Sequence, residues 1–316
     1  MESHKIGIPF GFLVIDKPAG LTSHDCVNKL RKIFNMKRVG HGGTLDPEVT
    51  GVLPIAFGDA TRLLQYLPKD KEYKGVIQLG TNTNTDDISG KVLNSQPWPE
   101  LEEQSIEKHL NKFRGKIKQT PPQISSVHVN GERAYKIARR GENVELIAKT
   151  VEIYKLSLEK WDQKTGTIEV IVNCSTGTYI RALARDLGHE IGCGGCLLKL
   201  KRTKALGFDD SIAVELPLYK KNEERNRPKL ISPLNALKHI ATYQIKTSEE
   251  LLRWRTGRVI ETEINNFKVG LKESKKSKSL SQGDPILIID TEKQLGGIGI
   301  LNEDHMVKPK VVFNAY

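Results

Sequence analysis

Apolar and polar positions along the chain change their spacing several times, and each change marks an element. Phe12-Leu13-Val14-Ile15 is a continuous apolar run closed by Lys17-Pro18-Ala19-Gly20, a short buried strand ended by a Pro/Gly turn. Thr22-Ser23-His24-Asp25 then caps a helix whose Val27, Leu30 and Phe34 recur at helical spacing, while Lys29, Arg31 and Lys32 keep its other side basic. Lys37 and Arg38 carry that basic run into a glycine-rich loop at 38–54. Asp59 with residues 61–67 makes a second short helix ended by Pro68. Residues 69–80 pass from a charged loop into a strand with Tyr73 at its entry. The polar stretch 81–90 reads as a turn, lacking the ligand spacing of a calcium loop.

A helical segment near 103–113 leads to an extended break at Thr120-Pro121-Pro122-Gln123. Asn130-Gly131 then supplies a two-residue hairpin turn, and 134–141 is a short basic helix closing at Gly141. Ile168, Val170, Val172 and Cys174 alternate as a strand with one buried face. A Ser/Thr/Gly turn at 175–178 caps a helix with Ile180, Leu183, Ala184, Leu187 and Ile191 along one side. Leucine alternates with basic residues over 197–208, as in a strand with one apolar and one cationic face at a phosphate-facing edge. The charged stretch 219–229 has no apolar face and is the expected linker. Beyond it, strands at 286–290, 297–301 and 310–313 suggest a small barrel, and Lys272, Lys275, Lys276 and Lys278 lie in an exposed loop.

The 316 residues suffice for a sizeable core and a smaller second module. No apolar run approaches the roughly 20 residues of a membrane span. The N-terminal stretch has no signal-peptide pattern, so the cytoplasm is the expected compartment. Lys plus Arg number 49 against 38 Asp plus Glu, a net charge of +11, which draws the chain toward a polyanion and makes nucleic acid the leading partner class. Cys193-Gly194-Gly195-Cys196 lacks the second ligand pair of a zinc site. It also follows a helix rather than opening one, so Cys26, Cys174, Cys193 and Cys196 read as small packed thiols.

The candidate chemistry lies in the loop from Arg38 to Pro54. Its four glycines let backbone approach a ligand closely, Pro47 constrains the residue after Asp46, and His41 and Arg38 bring polar and basic groups near. By itself the stretch also fits an ordinary turn carrying one acid. Tyr179 and Arg181 fall in the first turn of a helix leaving a strand. Arginine is electrostatically unfavourable there, so it calls for an acidic or phosphate partner. Asp46 is one candidate, and Asp186, in a purely structural pair, is the other.

These residues belong to an ordered series of motifs. It comprises Leu13-Val14-Ile15-Asp16-Lys17-Pro18 with Thr22-Ser23; Gly40-His41-Gly42-Gly43-Thr44-Leu45-Asp46-Pro47 through Gly51-Val52-Leu53-Pro54; and Lys71-Glu72-Tyr73. Pro121-Pro122 with Tyr135 and Ala138-Arg139, Ser175-Thr176-Gly177-Thr178-Tyr179-Ile180-Arg181, and Leu200-Lys201-Arg202-Thr203 complete it. The series resembles the TruB family of stand-alone tRNA pseudouridine-55 synthases from Phe12 to about residue 216, and more weakly beyond. The resemblance implies an α+β catalytic domain at 1–231, built on a mixed, largely antiparallel sheet flanked by helices. It further implies an RNA-gripping insertion near 115–150 and a small PUA-like β-barrel at 232–316. By similarity, Asp46 is the catalytic aspartate, Tyr73 stacks on the target uracil and shares in proton removal, and Arg181 pairs with Asp46. His41 helps to expose the target nucleotide, and Tyr179 and Leu200 line the pocket. Lys17 and Arg202 are counted with the substrate-binding residues. The implied partner is the T-arm of tRNA, with a monomeric enzyme that needs no protein partner, cofactor or metal. Ile124 and His128 stand where relatives have an aromatic residue and a lysine.

Two other classes of function remain open. One is a tRNA-binding or folding module in which modification is secondary. The other is a metal-dependent hydrolase built on His41, Asp46 and Glu48.

Overall fold

The computed structural model describes residues 10–129, 131–142, 144–217, 227–262, 267–268, 280–304 and 306–314. In chain order its elements are β1 (Gly11–Lys17), α1 (Ser23–Ile33), β2 (Val39–His41), β3 (Thr50–Phe57), a 3-10 segment (Gly58–Tyr66), β4 (Lys71–Leu79), β5 (Thr81–Thr83), β6 (Val92–Ser95), α2 (Glu103–Asn111) and β7 (Gly115–Gln119). There follow β8 (His128–Val129), β9 (Glu132–Arg133), α3 (Ala134–Arg139), β10 (Lys149–Asp162), β11 (Thr167–Cys174), α4 (Ile180–Ile191), β12 (Gly195–Ala205), β13 (Phe208–Asp209) and β14 (Val214–Glu215). The remainder holds α5 (Pro233–Ala236), β15 (Ala241–Gln244), α6 (Ser248–Arg255), β16 (Phe267–Lys268), β17 (Pro285–Ile289), β18 (Leu295–Leu301) and β19 (Val307–Val312).

The first sheet runs β14-β1-β3-β12-β4-β11-β10-β7, with β2 against β3 and β13 against β12. Only the β1–β14 and β3–β12 pairs are parallel in it. Phe12 to Ile15 of β1 are an unbroken apolar run because both faces of the strand are covered. Leu13 and Ile15 join the core under the helices, with Leu30 of α1, Leu110 of α2 and Leu187 of α4. Phe12 and Val14 pack on the opposite side against Leu63 of the 3-10 segment and against Ile298 and Phe313 from the chain's far end. α1 starts as expected: the Thr22 hydroxyl accepts from the Asp25 amide, and Asp25 accepts from the Thr22 amide in return. The second short helix has 3-10 rather than α pitch. α4 departs from expectation at its start. No Ser or Thr side chain caps it; Tyr179 is the cap residue, and its amide donates to the side chain of Gln119 at 2.9 Å.

The five C-terminal strands form a sheet in the order β16-β15-β17-β18-β19. Among the described residues its outer strands do not pair with each other, so the expected barrel is here an open sheet. It wraps Trp254, which is fully buried and donates its indole N–H to Gly296 O at 2.8 Å. The lysine loop at 272–278 and most of the expected linker lie outside the described residues. Just past that linker the chain is bound to the first sheet. Phe12 and Ile231 exchange backbone hydrogen bonds of 2.9 and 2.7 Å.

Gly51 marks where β3 and β12 meet. Its φ is +104°, and a Cβ there would lie 2.2 Å from the carbonyl oxygen of Arg202. Gly51→Ala is expected to cost about 2–4 kcal/mol of stability, read from the urea unfolding midpoint. An unchanged midpoint would contradict the tight approach of the two strands.

Candidate active site

The cleft arises where the sheet splits. β12 pairs in parallel with β3 at Lys201 and Arg202, while four residues earlier Leu197 bridges to Asp87 in the turn after β5. Between those contacts the flanking segments part, and Lys199 and Leu200 line an opening of about 960 Å³. β12 is therefore an interior strand rather than the phosphate-facing edge its alternation suggested, because alternation reports the two faces of a strand and not what pairs with its sides. A second cavity of about 590 Å³ adjoins the first, and Asp46, Arg181, Arg139 and Leu200 line both.

Asp46 sits in the loop between β2 and β3, which is held from beneath on both sides of the acid. Before it, the Ser23 hydroxyl accepts from the Leu45 amide at 2.9 Å and donates to the Leu45 carbonyl at 3.3 Å. After it, the Pro47 carbonyl accepts from Lys17 Nζ at 2.8 Å and from the Gly20 amide at 3.0 Å. At the two shoulders of the loop, Arg202 donates to Val52 O at 2.8 Å and Gly43 O at 3.1 Å. Held in this way, the Asp46 side chain stays about half exposed at the cavity wall.

Arg181 meets Asp46 from the first turn of α4, with Nη2 3.0 Å from Asp46 Oδ2. The same guanidinium donates to Thr85 O at 2.9 Å and Ile124 O at 3.0 Å, and lies 3.6 Å from Asp87. It is only 8% exposed, while its Asp46 partner is about half exposed, so water reaches the pair from the Asp46 side alone. Asp186, the structural alternative, pairs instead with Arg185, which also holds Asp86 at 2.8 Å. Burial pushes the Asp86 carboxyl up, and Arg185 opposes that shift.

Tyr73 is buried on β4 and lines the smaller cavity with Asp46 and Leu200. Burial raises its phenol above the usual value, with the nearby Arg202 charge acting against it. Tyr179 reaches the same cavity, its backbone clamped by Gln119, whose amide group both donates to and accepts from it at 3.1 and 2.9 Å. Tyr135 and Arg139 close the cavity from α3, with the Arg139 guanidinium 5.4 Å from the Tyr135 ring centre. His41 accepts from the Gly43 amide through Nδ1 at 3.3 Å. Burial, then the Arg202 charge, holds its imidazole below the usual range.

Two residues expected to bind substrate lie beneath the loop. Lys17 is fully buried, its ammonium donating to Pro18 O, Leu21 O and Pro47 O at 2.6–2.8 Å. Arg202 is likewise fully buried under the glycine loop. The Lys17 ammonium and two of the Arg202 nitrogens donate to backbone carbonyls around the loop, a need the motif alone does not reveal. Asp87 and Gln119 carry no such motif, and only the folded chain brings them to the site. His41, Asp46 and Glu48 form no group able to hold a metal ion, nor do any other His, Cys, Asp or Glu side chains among the described residues.

Residues 31–180 match the TruB family pseudouridylate synthase N-terminal domain. The chain is 52% identical over 313 residues to a tRNA pseudouridine synthase B of Prochlorococcus marinus (strain NATL1A), covering 97% of this chain and 98% of the relative. It belongs to the TruB family. A protein of the same name from Parasynechococcus marenigrum (strain WH8102) is 50% identical to this TruB-family chain, over 97% of it and 98% of the relative. Among solved structures, the fold matches a chain of a Cbf5-Nop10-Gar1 complex with a TM-score of 0.70 and 24% identity, covering 99% of this chain and 87% of that one. A chain of an H/ACA RNP bound to a substrate RNA containing 2'-deoxyuridine matches with a TM-score of 0.68, also at 24% identity and the same coverage. The TruB-family fold is thus a mixed sheet flanked by helices, as the motifs implied.

Replacing Lys17 by Met strips donors from three carbonyls. It is expected to lower stability by about 2 kcal/mol or more, measured by urea unfolding, and to slow turnover by loosening the backbone beside Asp46. Unfolding and turnover equal to the native chain's would contradict a holding role for Lys17. The raised phenol of Tyr73 predicts a pH effect. Its contribution to stability is complete below the usual tyrosine value of about 10 and is lost as pH rises through the higher folded-state value. The native chain should therefore lose more stability than Tyr73→Phe between about pH 9 and 11, and parallel melting curves for the two would contradict it.

Proposed function

We propose that this TruB-family chain converts uridine-55 in the T-arm loop of tRNA to pseudouridine. The observation carrying this reading is that Asp46, Tyr73 and Arg181, remote in sequence, converge on one cavity in a chain about half identical to tRNA pseudouridine synthase B along nearly its whole length. The target uridine leaves its stack and enters the smaller cavity, where Tyr73 and Leu200 contact the base and Tyr179 the rim. The bond from N1 to the ribose C1' breaks, the base turns, and a bond from C5 to C1' forms. The C5 proton departs to solvent and N1 gains one, so the reaction is an isomerisation with no net loss of atoms. Asp46 serves as the nucleophile, at the base or at the sugar, and is released at the end. Arg181 holds that carboxylate aimed into the cavity through their 3.0 Å ion pair. His41 helps to hold the opened nucleotide, while Lys17 and Arg202 act from beneath the loop.

The hairpin and α3 segment grips the RNA, and Tyr135 and Arg139 bring an aromatic ring and a cation to the cavity mouth. The C-terminal sheet is the PUA-like unit and adds RNA contacts. The enzyme works as a cytoplasmic monomer without cofactor or metal. No helix among the described residues is long and apolar enough to cross a membrane.

The test is release of tritium from tRNA labelled at uracil carbon 5. Asp46→Asn should lower the rate at least about 10³-fold while tRNA binding is retained. Arg181→Lys cannot reach Asp46, Thr85 and Ile124 together, and should lower kcat about 10²-fold with KM nearly unchanged. Native-rate release by Asp46→Asn, or loss of tRNA binding alone in Arg181→Lys, would overturn these roles. Release from tRNA lacking uridine-55 would overturn the position.

A further inference from the structure

Lys71 opens β4 two residues before Tyr73, so strand alternation turns both toward the glycine loop. Glu72 between them turns away, accepting from the Thr203 hydroxyl at 2.9 Å and pairing with Lys204 at 3.4 Å. Lys71 lines the smaller cavity beside Asp46 and Tyr73. Its ammonium ends at the loop: a Cβ on Gly43 would lie 3.6 Å from Lys71 Nζ and 3.5 Å from Arg202 Nη1. Two cationic groups thus converge on one glycine, which has no side chain to fill the approach.

Neither group pairs with an acid there among the described residues. Arg202 Nε and Nη2 are taken by carbonyls, and the guanidinium otherwise lies against the Tyr73 phenol. Lys71 Nζ enters no ion pair among the described residues, and the nearest catalytic carboxylate, Asp46, is engaged by Arg181. Burial first, and then the Arg202 charge, depresses the Lys71 ammonium. Burial lowers the Arg202 guanidinium as well. Neighbouring cations without a paired acid cost free energy, and a site that keeps them gains on binding an anion.

We propose that Lys71 contacts a phosphodiester group of the RNA strand entering the catalytic cavity, with Arg202 as the fixed positive charge behind it. This rests on the RNA-modifying reading above. Gly43 lies three residues before Asp46 in the same loop, so the contact would fix the backbone of the opened nucleotide relative to the attacking carboxylate. It is a binding role, distinct from the chemistry of Asp46.

The test uses a T-arm stem-loop RNA, with tritium release and equilibrium binding measured across a salt series. Lys71→Met should raise KM about tenfold, change kcat less than about twofold, and flatten the slope of log(kcat/KM) against log salt by about 1. Lys71→Arg should recover the slope, and Lys108→Gln, an exposed lysine on α2, should leave it unaltered. Replacing each linkage around the target uridine singly by a neutral methylphosphonate should reveal one that weakens binding to the native chain but not to Lys71→Met. An unchanged salt slope in Lys71→Met would overturn the proposal, as would penalties that add to the mutation at every linkage. RNA binding without tritium release by the native chain would sink the proposed reaction while leaving the linkage comparison readable. Failure of the native chain to bind RNA would overturn both.

Discussion

The cleft depends on a loop that cannot support itself. The segment from Gly43 to Val49 makes few backbone hydrogen bonds of its own, and a carboxylate on such a segment would ordinarily wander. Here three buried side chains act as stakes: Lys17 and Ser23 close to Asp46 on either side, and Arg202 at the loop's shoulders. Burying Lys17 and Arg202 costs solvation, and the carbonyls they satisfy offset part of that cost. The result is an acid held in place before any substrate arrives, the condition under which electrostatic assistance is strongest.

A second consequence is the charge pattern around Asp46. Arg181 ties the acid to the turn at Thr85–Asp87 and to the segment at Ile124, so three stretches far apart in sequence share one guanidinium. On the other flank, Lys71, Arg202 and a neutral-leaning His41 surround the glycine loop. Asp46 thus lies among positively charged groups, which favours the approach of a polyanion. The +11 net charge of the chain extends the same bias outward.

The two sheets are not independent beads. Phe12, Val14 and Val52 of the first pack with Leu287, Ile298 and Phe313 from the C-terminal part in one apolar cluster, and Arg62 lies over the Phe313 ring. β1 therefore has apolar residues on both faces, one toward the helices and one toward the C-terminal sheet. That explains why its sequence is a continuous run where an alternating pattern would mark a half-exposed strand.

Much of the architecture was legible in the residues because it is locally encoded. Thr22 to Asp25 carry their own capping chemistry, Ile168 to Cys174 their own alternation, and the motifs from Lys17 to Thr203 stand in the order that marks the family. The pairing of Arg181 with Asp46 was one of two readings, since a helix N-terminal arginine demands an anion but does not name it. Tertiary structure chose Asp46 and gave Asp186 to Arg185. It also turned Lys17 and Arg202 inward, made β12 an interior strand, brought Asp87 and Gln119 to the site, and set Lys71 against Arg202 at Gly43. Each of these depends on which distant carbonyl, acid or strand comes within hydrogen-bond reach, a property of the packed chain that no local spacing records.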